Sequence, residues 1–164
     1  MTRKISFLAG AAALLLIALA VAGCGGSSSD TATPTTASGS SATIGVANEG
    51  GLGKILVDSQ GRTLYLFQKD SGTKSACTGA CAINWPPLMV SGKPTEGDGA
   101  DASLVGTTSR LDGKRQVTYN GHPVYLFSGD KQAGDTNREG LNAFGGGWYA
   151  LSAAGDQVNP PANS

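Results

Sequence analysis

A single histidine, His122, is all the imidazole this chain possesses, and three cysteines are all its thiols. Any Ser-His-Asp or Cys-His arrangement would have to pass through that one residue. No G-x-S-x-G, H-E-x-x-H or phosphate-cradling glycine loop accompanies it. The chain therefore reads as a protein without catalysis and without a cofactor. Charge is scarce as well, at 15% of residues, with twelve basic and twelve acidic side chains. Two of the basic residues, Arg3 and Lys4, fall in the leader, which leaves ten against twelve beyond it. The remaining charges are scattered, so no basic stripe offers nucleic acid a footprint. Outside the leader, no eleven-residue window carries a helical period. Twenty-five glycines and seven prolines further exclude a bundle of long helices.

The first long apolar run lies at the start. Arg3 and Lys4 precede the apolar residues 5–22, and Val21-Ala22-Gly23-Cys24 follows. A basic head, an apolar run and small residues make a secretory signal over residues 1–23. The cysteine after the small residues matches a lipobox, in which the Cys24 thiol is acylated, with palmitate-type chains, and becomes the new N-terminus. A plain transmembrane anchor is the competing reading, since the run is nearly long enough to span. Either way the remainder lies outside the cytoplasm, on a membrane. Residues 24–42 are Gly, Ser, Thr and Ala with little else, the composition of a tether. Residues 159–164 form a polar tail.

Between tether and tail the chain repeats itself. Ile55-Leu-Val-Asp-Ser-Gln-Gly-Arg-Thr-Leu-Tyr-Leu-Phe aligns without a gap on Arg115-Gln-Val-Thr-Tyr-Asn-Gly-His-Pro-Val-Tyr-Leu-Phe. Upstream, Thr43-Ile-Gly-Val-Ala matches Leu104-Val-Gly-Thr-Thr. Downstream, Trp85-Pro-Pro-Leu matches Trp148-Tyr-Ala-Leu. This is a tandem duplication of a unit of about sixty residues, placed at 43–102 and 103–158. Each unit is rich in short β-forming runs, and Asn120-Gly121 between two of them is a hairpin signal. The expected fold is all-β: two homologous repeats of about four short strands each, packed as one small β-sandwich or barrel-like domain.

Both repeats carry Y-x-F-x-x-D, as Tyr65, Phe67 and Asp70 and again as Tyr125, Phe127 and Asp130. In a strand, Tyr65 and Phe67 face one side while Leu64 and Leu66 face the other. Both faces are apolar, which predicts a central strand covered on both sides. The Asp follows the strand, where it either fixes a turn through its own backbone or accepts a bond from a buried tyrosine hydroxyl. The motif thus reads as structural.

The tandem Y-x-[FWY]-x-x-D motif, C-x-x-x-C before W-P-P, the G-D-T-N stretch and the lipobox resemble a family of bacterial lipoproteins. That family consists of secreted repeats of unknown function. The resemblance spans both repeats and implies an envelope lipoprotein, but it brings no activity with it.

Two further constellations bear on chemistry. Cys77-Thr-Gly-Ala-Cys81 is an even pair in an oxidising compartment, and a disulfide across a short turn is expected. The alternative is a copper or thiol-redox site of Cys77, Cys81 and His122, since soft thiolates select Cu(I). Asp135, Asn137 and Glu139 alternate before Gly140 like the first half of a calcium loop, but Gly146 stands where the closing carboxylate is needed. No metal is expected at either place. The reading is a membrane-anchored, extracytoplasmic envelope lipoprotein, a non-catalytic binding or interaction module. Its partners are the membrane, through the N-terminal lipid, and an envelope protein or small ligand.

Overall fold

A computed structural model describes residues 41–159. The leader, Cys24, nearly all of the tether and residues 160–164 of the tail lie outside the described residues. Within them run β1 (Thr43–Glu49), β2 (Gly53–Asp58), β3 (Tyr65–Phe67), α1 (Ala80–Asn84), β4 (Thr95–Glu96), β5 (Val105–Ser109), β6 (Arg115–Tyr119), β7 (His122–Pro123), β8 (Leu141–Ala143) and β9 (Gly146–Ala150). The strands form three sheets, ordered β2-β1-β4, β3-β9-β8 and β5-β6-β7. The fold is all-β apart from the single turn and a half of α1. No barrel closes among the described residues, and the sheets enclose apolar layers in the manner of a sandwich.

The duplication is visible in the hydrogen bonds. Gly45 on β1 pairs with Val57 on β2, and Gly106 on β5 pairs with Thr118 on β6. The Leu64 amide donates to the Leu56 carbonyl at 3.0 Å, and the Val124 amide donates to the Val117 carbonyl at 3.1 Å. Leu56 is therefore the counterpart of Val117, and the gap-free alignment of Val57 with Val117 is one residue out before the turn. The cause is a longer first turn. There the Asp58 amide bonds the Arg62 carbonyl at 2.9 Å, and the Asp58 carboxylate accepts the amides of Gln60 and Arg62. The second turn is the tight Asn120-Gly121 pair, with φ of 46° and 78°, as a two-residue hairpin loop requires.

The repeats do not sit side by side as separate beads. First-repeat β3 pairs with second-repeat β9, Leu66 opposite Tyr149. In return, the Leu88 amide donates to the Val124 carbonyl and the Leu126 amide to the Pro86 carbonyl. At the centre Tyr65 and Tyr125 exchange both backbone bonds, at 2.8 and 3.0 Å. This reciprocity is that of an isologous interface folded into one chain.

Alternation along the central strands divides the core. Leu64, Leu66 and Val124 pack with Ile44, Leu56, Val117 and Leu151 on one side. Tyr65, Phe67 and Tyr125 pack with Trp85, Trp148 and the two cysteines on the other. The Gly145-Gly146-Gly147 run is only partly a turn. Gly146 and Gly147 begin β9, and a Cβ on Gly146 would lie 2.9 Å from the Phe67 ring and 3.1 Å from the Lys69 amide nitrogen. Close strand approach, rather than flexibility, selects glycine there.

Candidate functional site

The two Y-x-F-x-x-D motifs complete each other. The Tyr65 hydroxyl donates to Asp130 Oδ2 at 2.7 Å, and the Tyr125 hydroxyl donates to Asp70 Oδ2 at 2.8 Å. Each Asp thus accepts from the tyrosine of the other repeat. Both tyrosines are fully buried, and burial, reinforced by the neighbouring carboxylates, raises both phenol pKa values far above the usual range. The hydroxyls stay protonated and act as fixed donors.

The rest of each Asp is satisfied locally. Asp70 Oδ1 accepts the Ala76 amide at 2.7 Å. Asp130 Oδ1 accepts the Asn137 side-chain amide at 3.0 Å and its backbone amide at 3.3 Å. Burial raises the Asp70 pKa, against the bonds from Ala76 and Tyr125 and the nearby charges of Arg110 and His122. The two motif sites are not equivalent in depth. Asp130 is 5% exposed, whereas Asp70 is half-buried.

Rings interleave across the same seam. Phe67 stacks on Trp148 at 4.1 Å, Trp148 stacks on Trp85 at 3.9 Å, and Phe127 tilts against Trp85 at 4.8 Å. Tyr65 meets Trp85 edge-on at 5.3 Å, and Tyr125 meets Trp148 likewise at 5.2 Å. The column alternates between repeats, so neither half holds its aromatic core alone.

Cys77 and Cys81 are joined to each other, with Cα atoms 5.3 Å apart. The bridge spans the turn at Gly79, whose φ of 56° suits glycine, and its sulfurs lie in the aromatic layer. A loop this short contributes only about 2 kcal/mol by chain entropy. Arg110, a residue the sequence did not single out, crosses from the second repeat to hold the loop. Its guanidinium donates to Ser75 Oγ at 2.8 Å, to Gln116 Oε1 and to the Cys77 carbonyl. His122 lies instead in a surface cleft with Asp70. Among the described residues no three His, Cys, Asp or Glu side chains converge at metal-binding distance.

The calcium-like loop is occupied by internal bonds. Asp135 Oδ2 accepts the amides of Lys131 and Gln132, Asn137 caps Asp130, and Glu139 Oε2 accepts the Ala150 amide at 2.7 Å. The Glu139 bond has a legible origin. Ala150 corresponds to Pro87 in the first repeat, and proline has no amide hydrogen to satisfy. Glu139 Oε1 is buried without a partner, and burial pushes its carboxyl up to about 7 from 4.5, against the Ala150 bond. A carboxyl whose pKa is raised on folding favours the fold when neutral. Its contribution is therefore fully present below pH 4.5 and is lost as pH rises to about 7. Glu139→Gln should flatten this limb of the stability profile, as read from urea midpoints across that range. An unchanged slope would show that Glu139 does not titrate there.

A family model described as a secreted repeat of unknown function matches residues 47–89 and again residues 106–152. No curated protein and no solved structure matches the chain.

Proposed function

Because this chain belongs to the family of secreted repeats of unknown function, we propose that it is a lipid-anchored, non-catalytic binding module of the bacterial envelope. The observation that carries the reading is the reciprocal clamp. The polar groups of the repeated motif bond one another across the seam, so the motif builds a scaffold. A rigid two-repeat scaffold on a polar tether presents its surface to envelope partners, whether a protein or a small ligand. Val21-Ala22-Gly23-Cys24 ahead of that tether supplies the anchor. One acyl chain holds a protein only marginally, and two hold it stably.

Cys24→Ser tests the anchor. The wild-type chain is expected to take up labelled palmitate and to sediment with membranes. The variant should take up none, and should either appear in the soluble fraction or retain its leader as a larger species. A variant that fractionates and migrates like wild type would end the lipid-anchor reading.

A further inference from the structure

Each repeat opens with two paired strands joined by a turn, and the two turns treat leucine differently. In the first repeat, Leu52 follows Gly50-Gly51 and packs on the cluster of Ile55 and Val57. In the second, the β5–β6 turn holds Leu111 out at 95% exposure. That turn is closed by its own backbone. The Arg110 amide bonds the Lys114 carbonyl at 2.8 Å, and the Gly113 amide bonds the Arg110 carbonyl at 3.0 Å. Ile83 of α1 is exposed as well, at 76%, and its neighbour Ala82 borders one groove with Leu111. Leu111 and Ile83 are the two most exposed large apolar side chains among the described residues. A lone exposed leucine is ordinary, but the setting of this one is not.

Basic side chains surround the pair. Lys74 borders a groove with Leu111. Lys114 and Arg115 follow the turn and share a groove with Ser91, close in the chain to Lys93. All four are exposed, and none forms an ion pair among the described residues. Asp112, whose Oδ1 accepts the Lys114 amide at 3.1 Å, and Glu96 are interspersed, which leaves a positive excess. The path of the chain puts the tether at the same end. Leu88 to Val90 runs against β6 toward the turn, with the Val117 amide on the Leu88 carbonyl at 2.8 Å and the Val90 amide on the Arg115 carbonyl at 3.0 Å. Residues 91–94 reverse the chain. The Thr95 amide then bonds the Ala42 carbonyl at 2.8 Å, and β4 runs away parallel to β1. It leads to Asp101, whose amide meets the Tyr119 hydroxyl at the far end of β6. The chain from Cys24 thus joins the fold at the end that carries the β5–β6 turn, and the β1–β2 turn lies at the opposite end.

We infer that this end docks on an anionic bilayer, the one that carries the anchor, with Leu111 and Ile83 entering the headgroup layer and Lys74, Lys93, Lys114 and Arg115 meeting anionic lipid. Apolar side chains set among basic ones suit an interface, where the apolar part is buried and the charge stays at the headgroups. The inference rests on the lipid-anchor reading and says how the anchored domain sits. Once a tether confines the domain to the surface, even a weak second contact is populated.

The test places a nitroxide on the mature chain at Leu111→Cys or, as a control for the label itself, at Gly50→Cys. Gly50 lies in the β1–β2 turn and has open space where a side chain would stand. Cys77 and Cys81 are joined to each other, and the unsubstituted chain treated alike supplies any background from Cys24. Each chain is reconstituted in vesicles of phosphatidylcholine alone and of an equal mixture with phosphatidylglycerol. On the mixed vesicles the label at position 111 should be relaxed more by oxygen, which concentrates in lipid, than by an aqueous nickel chelate. The label at position 50 should show the reverse. Lys114→Gln should lower the ratio of inserted to free label at position 111 about fivefold, the share of one basic residue at an anionic surface, with an unchanged melting temperature. An aqueous label at position 111 on the mixed vesicles would overturn the inference, whether a protein or nothing covers this end in the cell. Equal depth at the two positions, or equal depth on the two kinds of vesicle, would overturn it too. Palmitate uptake at Cys24 is read separately, so failure of the docking and failure of the anchor are told apart.

Discussion

Trp148→Ala is expected to remove about 3–5 kcal/mol of folding free energy, the range for a large aromatic deleted from a core. Trp148 is fully buried, stacks between Phe67 and Trp85, and meets Tyr125 edge-on. Its indole N–H donates to the Ala143 carbonyl at 3.1 Å. The substitution therefore opens the column at its middle ring and leaves an acceptor without its donor. A domain of this size has only about 5–15 kcal/mol in hand, so the variant should unfold at a much lower urea concentration. Trp148→Phe keeps a ring in the stack and should lose less. A wild-type midpoint for the alanine variant would show that the column does not hold the repeats together.

Tyr65→Ala and Tyr125→Ala should each cost a similar amount, about 3–5 kcal/mol. The phenylalanine variants are more discriminating. Tyr65→Phe strips Asp130 of a donor inside the protein, where an unsatisfied buried acceptor costs about 1–3 kcal/mol. Tyr125→Phe strips Asp70, which borders the cleft and can turn to water. Tyr65→Phe should therefore be the more destabilising of the two in urea unfolding. Equal losses would mean that the two sites are equally sealed, against the 5% exposure of Asp130 and the half-burial of Asp70.

Much of this architecture can be read from the chain itself. The two-residue alternation of Leu64, Tyr65, Leu66 and Phe67 places each side chain in the layer it occupies, and Asn120-Gly121 turns as its backbone preference dictates. What cannot be read is which Asp meets which Tyr. The repeats carry the same motif, so residue types are identical whether a bond forms within a unit or between units, and only the three-dimensional pairing of β3 with β9 decides. Helix α1 is too short, at five residues, to display a period. The alignment slip arises because Gly61 and Gly121 both end a turn, yet the first turn holds one residue more. Asp135, Asn137 and Glu139 alternate like half a calcium loop, a pattern that does not reveal what Glu139 bonds. The contrast of Pro87 with Ala150 carried the better signal, since only the second strand has an amide there to satisfy. Arg110 gave no signal at all, because its three acceptors come from Ser75, Cys77 and Gln116, six or more positions away along the chain.

The central claim, that each motif is completed by the other repeat, is tested most directly by two double-mutant cycles on urea unfolding. One pairs Tyr65→Phe with Asp130→Asn, and the other pairs Tyr65→Phe with Asp70→Asn. The cross-repeat pair shares a hydrogen bond of 2.7 Å and should show a coupling of about 0.5–3 kcal/mol, whereas the within-repeat pair should be additive to within about 0.5 kcal/mol. Coupling between Tyr65 and Asp70, with additivity between Tyr65 and Asp130, would contradict the account.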